Sequence, residues 1–313
     1  MSEIREKVAP IRSAGPVERV AFVPERGPHR PRRVNRASTP ERKFLSIIHH
    51  FLLGPTVLKK YNVLNIPLAE TSIPRIMNDV FTNHKKNHIV TATGAHGIIT
   101  ARKDNLLYKI LTDRNTINLP DGKPGVWIAK MKGAKNIQRC FGPFVFAEVM
   151  KKTAKTDTKH FFAGGKPCVA EQLKENVAKR FGNENVVGTH CPPFRNLSDE
   201  DFKDLANKIN ELNVDIVWIG ISTPKQEKFA YNLTRYTNVK FLVTVGAAFD
   251  YHTDTIRPAP NWVQEAGLEW LFRLLMEPKR LWKRYFKIVP LFIWYNIIEL
   301  IKGEFLKTKV KEK

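Results

Sequence analysis

Between residues 88 and 250, short apolar runs that stop at a glycine alternate with longer amphipathic segments. His88-Ile89-Val90-Thr91-Ala92-Thr93 runs into Gly94, and Lys159-His160-Phe161-Phe162-Ala163 runs into Gly164-Gly165. The runs at 214–219 and 239–245 stop at Gly220 and Gly246, and Asn185 to Val187 reads as a further short strand. The segments between them carry helical periodicity. One covers about 97–111; a second covers 167–181, with Val169, Leu173 and Val177 on one face. A third, at 198–212, is opened by a capping box of Ser198 and Asp201. A fourth opens at Thr223, with Pro224 at its first helical position. Apolar strands alternating with amphipathic helices make βαβ units, so the fold class is α/β: a mainly parallel, Rossmann-like sheet flanked by helices.

A sheet of this kind binds ligands beyond the carboxyl ends of its strands. Glycines at those ends let a ligand approach the backbone, and the helix starts that follow offer N–H groups to phosphate. The chain lacks both G-x-G-x-x-G and the Walker A pattern, which weakens dehydrogenase and ATPase readings and leaves a nucleotide or nucleotide-sugar site open.

The ends differ from this body. Residues 1–43 are rich in Arg, Pro and Glu and read as a disordered basic arm, either a solvated tail or a contact for lipid headgroups or nucleic acid. Residues 44–265 read as the α/β domain. Within them, 44–60 reads as helix or surface hairpin and 62–68 as a short strand. Residues 266–313 read as a basic amphipathic helical appendage. The net charge of +22 calls for an anionic partner: nucleic acid, a phosphorylated substrate or an anionic membrane face. Cys140, Cys168 and Cys191 are scattered and form no CxxC, which argues against a disulfide scaffold or zinc cluster and fits a reducing compartment. No secretory signal is visible. The best apolar stretch, Ile288 to Ile301, is short for a span and is broken by Pro290, Asn296 and Glu299.

Four local patterns carry chemistry. Pro120-Asp121-Gly122 sets a carboxylate on a turn between apolar runs; it is either good turn chemistry or a base held for catalysis. Gln226, after Gly220-Ile221-Ser222-Thr223-Pro224-Lys225, either closes a capping box with Thr223 or faces a diphosphate together with free N–H groups. Asp250, after Gly246, caps the next segment or accepts a hydrogen bond from a nucleobase or ribose. Arg273, Arg280 and Arg284 share one helix face if Pro278 lets the helix continue. Trp282, Tyr285, Phe286, Phe292 and Trp294 suit a membrane interface. Each exposed cation near an anionic leaflet contributes roughly 1 kcal/mol. The alternative is a core helix with a solvated basic face.

Together these residues resemble the bacterial WecG/TagA/CpsF family of N-acetylmannosaminyltransferase-type glycosyltransferases, glycosyltransferase family 26. The motifs that carry the resemblance occur in the family's order over residues 62 to about 295. They are Thr93-Gly94-Ala95-His96-Gly97, Pro120-Asp121-Gly122 with Pro124, Val126 and Trp127, and Phe162 with Gly164-Gly165. Gly220 with Pro224-Lys225-Gln226-Glu227, Val245-Gly246-Ala247 with Phe249-Asp250, and Gly267-Leu268-Glu269-Trp270 complete them. The resemblance implies inverting transfer of an N-acetylmannosamine-type or related hexose from a UDP donor to a polyprenyl-diphosphate-linked sugar, in cell-surface polysaccharide or teichoic acid synthesis. It implies no cofactor and no metal ion. Asp121 would be the catalytic residue, with Thr93 and Arg139 beside it. Gly94, His96, Gly164, Gly220, Gln226, Gly246 and Asp250 would contact the UDP-sugar. Arg273, Arg280 and Arg284 would hold the lipid diphosphate. The protein would be cytoplasmic and peripheral on the inner face of the cytoplasmic membrane, on an anionic surface, and compatible with a homo-oligomer. The basic arm and the cationic stretch from Lys151 to Lys159 are additions to the family pattern.

Two other classes remain in view. One is a non-catalytic anionic-lipid or nucleic-acid binder, which the concentration of cations at the chain ends, around a glycine-tipped body, disfavours. The other is a nucleotide-dependent enzyme of a different kind.

Overall fold

The computed structural model describes residues 58–82 and 86–311. They belong to one compact unit, Thr56–Lys313. The basic arm at 1–43 and most of the apolar segment at 44–60 lie outside the described residues.

Eight strands are described: β1 (Lys60–Val63), β2 (Ile66–Ala69), β3 (His88–Thr93), β4 (Thr116–Pro120), β5 (His160–Gly164), β6 (Val186–His190), β7 (Ile216–Gly220) and β8 (Phe241–Thr244). They form one sheet in the order β1-β2-β4-β3-β8-β7-β5-β6. The β1–β2 pair is antiparallel and every other pair is parallel. The helices before β5 are α1 (Ile76–Asp79), α2 (Ala95–Ala101), α3 (Asn105–Thr112), α4 (Lys123–Met131) and α5 (Gly142–Thr153). Those after it are α6 (Val169–Phe181), α7 (Asp199–Glu211), α8 (Lys225–Leu233), α9 (Ala248–His252), α10 (Asn261–Glu265), α11 (Glu269–Met276) and α12 (Pro278–Lys311). The α/β class and the mainly parallel sheet expected from the alternation are therefore present.

Strand alternation sorts the core. Val90, Phe162, Trp218 and Val243 face one side, against Phe146 and Val149 of α5 and Leu173 and Val177 of α6. Their neighbours Ile89, Phe161, Val217 and Leu242 face the other, against Phe202 and Leu205 of α7 and Phe229 and Leu233 of α8. Strands buried on both faces favour apolar residues at successive positions, which is why β5 and β7 read as nearly unbroken runs, while buried Thr91, Thr93 and Asn118 interrupt β3 and β4. A third cluster joins the β1–β2 hairpin, α2, α3 and α4 to Ile288 and Phe292 of α12. The C-terminal helix is thus packed into the same unit as the sheet.

Several boundaries differ from the sequence reading. The expected strand at 62–68 is a hairpin that turns at Leu64 and Asn65, whose φ values are 51° and 66°. Positive φ at both central residues matches the strand twist, here without the usual glycine. The helix expected over 97–111 is two: α2 ends at Ala101, and Asp104 accepts the Leu107 N–H at 3.1 Å to start α3. The capping box of Ser198 and Asp201 forms as expected. The other does not: α8 begins at Lys225, and its N-cap, Pro224, makes no side-chain cap. Pro278 does interrupt the C-terminal helix, since α11 ends at Met276 and α12 starts at Pro278.

His160 on β5 shows how the core handles polarity. The Trp218 indole N–H donates to its Nδ1 at 3.1 Å, so the ring proton sits on Nε2, 2.8 Å from Thr153 Oγ1. Burial lowers its pKa to about 4 from 6.5. The unfolded chain therefore binds this proton first on acidification. Stability to urea is expected to fall as pH drops from about 6.5 towards 4, and His160→Gln should flatten that slope.

Candidate active site

Asp121 sits where β4 ends, one residue before Gly122 caps α4. Its backbone N–H donates to Thr93 O at 3.3 Å, which ties the ends of β3 and β4 together. Its carboxylate oxygens are differently placed. Oδ1 accepts the Gly142 N–H at 3.0 Å, at the first turn of α5, where the helix dipole favours negative charge. Oδ2 accepts no hydrogen bond among the described residues and lies on the side of Gly94, where a built Cβ would be 3.6 Å away. Gly142 must be glycine for this contact: a Cβ there would stand 2.8 Å from Val245 O.

A brace of charged groups supports Asp121. Arg139 Nε donates to Asp121 O at 2.8 Å, and Arg139 Nη2 meets Glu269 Oε2 at 2.5 Å. The Arg139 guanidinium also lies 4.2 Å over the Phe141 ring. Tyr251 of α9 donates its hydroxyl to Glu269 Oε1 at 3.2 Å, so the first residue of α11 is held both by α9 and by Arg139. Burial raises the Asp121 pKa above the usual carboxylate value, while Arg139 and the Gly142 N–H pull it back.

These groups line one cavity of about 1580 Å³ beyond the carboxyl ends of β3, β7 and β8. It brings together Asp121, Gly94, His96, Arg139, Gly220, Gln226, Gly246, Asp250, Arg273, Arg280 and Arg284. Thr93 and Gly164 are not on its lining. Thr93 is buried and turns its hydroxyl into the sheet, 3.3 Å from Asn118 Oδ1 and 3.4 Å from Thr91 O. Gly164 lies under the floor: a Cβ there would be 2.8 Å from the Gly220 carbonyl, and one on Gly220 would be 2.5 Å from the Phe249 ring. Close packing of protein against protein explains both glycines.

Gln226 is committed at both ends. Its Oε1 accepts the Gly246 N–H at 3.0 Å, and its Nε2 donates to Thr223 Oγ1 at 3.2 Å and Glu227 Oε1 at 2.9 Å. It therefore locks the β7–α8 turn to the β8–α9 turn. Glu227 beneath it also accepts from Thr223 Oγ1 at 2.9 Å and Thr91 Oγ1 at 3.4 Å, and burial raises its pKa.

The rest of the lining is cationic. Nine Lys and Arg side chains, including Lys123, Lys166 and Lys225, face three carboxylates, Asp121, Asp250 and Glu269. The site therefore suits an anion. Arg280 is paired with Glu277, at 2.8 Å from Nη2 and 2.5 Å from Nε. Arg273 and Arg284 form no ion pair among the described residues, and Arg273 Nε is buried without a partner. His96 has its pKa lowered to about 4 by burial and by Arg284, so it is neutral at pH 7. Burial raises the Asp250 pKa, against Arg280, Lys166 and Arg273. Among the described residues no three His, Cys, Asp or Glu side chains gather where a metal ion could sit.

The sequence reading missed β4 and α4, the elements on either side of Asp121, together with Gly142, α5 as an element, and the roles of Glu227 and Glu269. Glu227 and Glu269 stood inside quoted motifs, but their partners are distant in sequence. Gly142-Pro143 was the available signal for α5, since proline favours the first helical turn.

The sequence model of the glycosyl transferase WecG/TagA/CpsF family matches residues 61–305. A curated relative from Bacillus subtilis (strain 168) is N-acetylglucosaminyldiphosphoundecaprenol N-acetyl-beta-D-mannosaminyltransferase. It is 25% identical over 227 residues, which cover 72% of this chain and 86% of that protein.

Proposed function

The chain belongs to the glycosyltransferase WecG/TagA/CpsF family, and from that premise we propose that Asp121 is its general base in an inverting sugar transfer. The donor in this reading is a UDP-linked N-acetylmannosamine-type sugar. The acceptor is an N-acetylglucosamine carried on a polyprenyl diphosphate, as the name of the Bacillus relative indicates for that protein. The observation that carries the reading is the Asp121 carboxylate: one oxygen is fixed by the Gly142 N–H and the other is free beside a cation-lined cavity. The cavity volume, about 1580 Å³, exceeds the roughly 300–1,000 Å³ of a single-ligand pocket and suits two substrates.

The step balances as a single displacement. Asp121 Oδ2 takes the proton of the acceptor hydroxyl. The freed oxygen attacks the anomeric carbon from the face opposite the diphosphate, the carbon–phosphate-oxygen bond breaks, and UDP leaves with the electron pair. The proton then passes from Asp121 to solvent. Arg273 and Arg284, without carboxylate partners, and Arg280 beside them offer planar donors to the oxygens of the acceptor's lipid diphosphate. Gln226 and Gly246 hold the turns that would face the nucleotide, and Arg139 positions Asp121 through its backbone carbonyl. Thr93 acts from the sheet, by setting β3 against β4.

Peripheral membrane attachment on the cytoplasmic side belongs to the same proposal. Among the described residues no helix is long and apolar enough to cross a membrane. Trp282, Phe286, Trp294 and Ile301 of α12 are nonetheless exposed, with Lys283 and Lys287 beside them.

Thermal shift and titration with nucleotides test the donor class. UDP and UDP-sugars should raise the melting temperature, and NAD and ATP should not; stabilisation by NAD or ATP alone would point to another enzyme class. The raised Asp121 pKa has a kinetic consequence. A base works only when deprotonated, so kcat/KM should fall on the acid side, with its midpoint above the ordinary Asp value of about 3.9. An acid limb at or below that value would contradict the assignment.

A further inference from the structure

The cavity does not end at the charged groups. From Asp121 it continues as a groove between α4 and α12, and its character changes along the way. One wall carries Trp127 and Met131, one turn apart on α4. The other carries Val289, Ile293 and Ile297, one turn apart on α12. These are large apolar side chains left open to water: Met131 is 67% exposed, Ile293 54% and Trp127 50%. The polar exception on the α12 wall is Asn296, buried beneath the others and donating Nδ2 to Phe292 O at 2.7 Å. The walls are fixed to each other at the far end, where Lys132, just past α4, meets Glu299 of α12 at 2.6 Å. That ion pair and the buried Ile288 and Phe292 hold the groove open as a shaped feature of the fold.

We propose that this α4–α12 groove binds the first isoprene units of the acceptor's polyprenyl chain. The occupant follows from the order of chemistry along the cavity: a carboxylate and unpaired guanidinium groups at the inner end, then a largely hydrocarbon lining outward, in which Asn296 is the polar exception. A ligand that fits must carry, in the same order, a reacting hydroxyl, a diphosphate and an apolar chain. A nucleotide sugar matches only the inner part. A protein helix would not extend a hydrocarbon strand from a diphosphate. Phe286, Trp294 and Ile301 of the same helix are also exposed, so α12 offers apolar surface beyond the cavity lining itself. The assignment rests on the glycosyltransferase reading above and adds to it where the lipid lies.

The test is transfer in detergent solution, where bilayer docking plays no part. Two acceptors of one head group are compared, one on a long polyprenyl diphosphate and one on a short alkyl diphosphate. Ile293→Asn and Met131→Asn, placed on opposite walls, are each expected to lower kcat/KM for the long-chain acceptor by about tenfold or more relative to the short-chain one. The loss should appear in KM. Because the result is a ratio within one variant, partial misfolding lowers both terms and leaves it unchanged. A diazirine-bearing polyprenyl analogue should label α4 and α12. An unchanged long-to-short ratio in both variants, or labelling elsewhere, would overturn the groove assignment while leaving the transferase reading intact. No transfer to either acceptor by the unaltered protein would sink the transferase reading itself.

Discussion

Asp121→Asn is expected to lower kcat by roughly 10²–10⁴-fold while donor affinity and melting temperature change little. Asn keeps an acceptor oxygen for the Gly142 N–H, so the contact that orients the side chain at 3.0 Å survives. What is lost is the capacity of the second oxygen to take a proton. The acid limb of the pH profile should vanish with it, since burial at this carboxylate sets the limb. A uniform loss of donor binding would instead mean that Asp121 holds the site together, and an unaltered rate would remove it from the chemistry.

Arg139→Ala should cause the largest loss of stability, about 3–5 kcal/mol, with activity falling in parallel. Arg139 and Glu269 keep only 13% and 10% of their side-chain surface exposed, so removing the cation strands a carboxylate in a nearly dry position. The same substitution removes the donor to the Asp121 carbonyl and the cation over Phe141. Arg139→Lys keeps charge but not the fork that reaches both partners, and should recover part of the stability and little of the rate. Combining Arg139→Ala with Glu269→Gln should cost less than the sum of the two singles, because the stranded charge is gone. Chemical denaturation read beside steady-state rates separates these outcomes. Additivity of the two substitutions would show that the ion pair contributes little.

Strands β5 and β7 were readable because they are buried on both faces, whereas β4, which carries the chain into Asp121, was not read as a strand, since buried Thr116 and Asn118 interrupt its apolar run. Phe161 and Phe162, or Val217 and Trp218, point to opposite cores, and no polar position breaks the run. The hairpin turn was not, because Leu64 and Asn65 adopt positive φ without glycine. Nor was the fate of Thr93: adjacency to Asp121 is local, but the direction of its hydroxyl depends on Asn118, a residue on the neighbouring strand. Gln226 shows the same limit. Its spacing from Thr223 suggested a cap or a diphosphate contact, and its Oε1 instead holds Gly246, twenty residues on. The arginines were legible as cations near the C-terminus, and the break at Pro278 was flagged by proline itself. That Arg273 on α11 and Arg284 on α12 still line one cavity depends on how the two helices pack against each other.

The most direct test is the mass and anomeric configuration of the product formed by purified protein from UDP-N-acetylmannosamine and polyprenyl-diphosphate-N-acetylglucosamine. The account predicts the mass of one added N-acetylhexosamine and, from an α-linked donor, a β linkage, with product formation by Asp121→Asn slowed roughly 10²–10⁴-fold. An α-linked product would require a second displacement and a different role for Asp121. No mass gain with any UDP-sugar would contradict the proposed reaction.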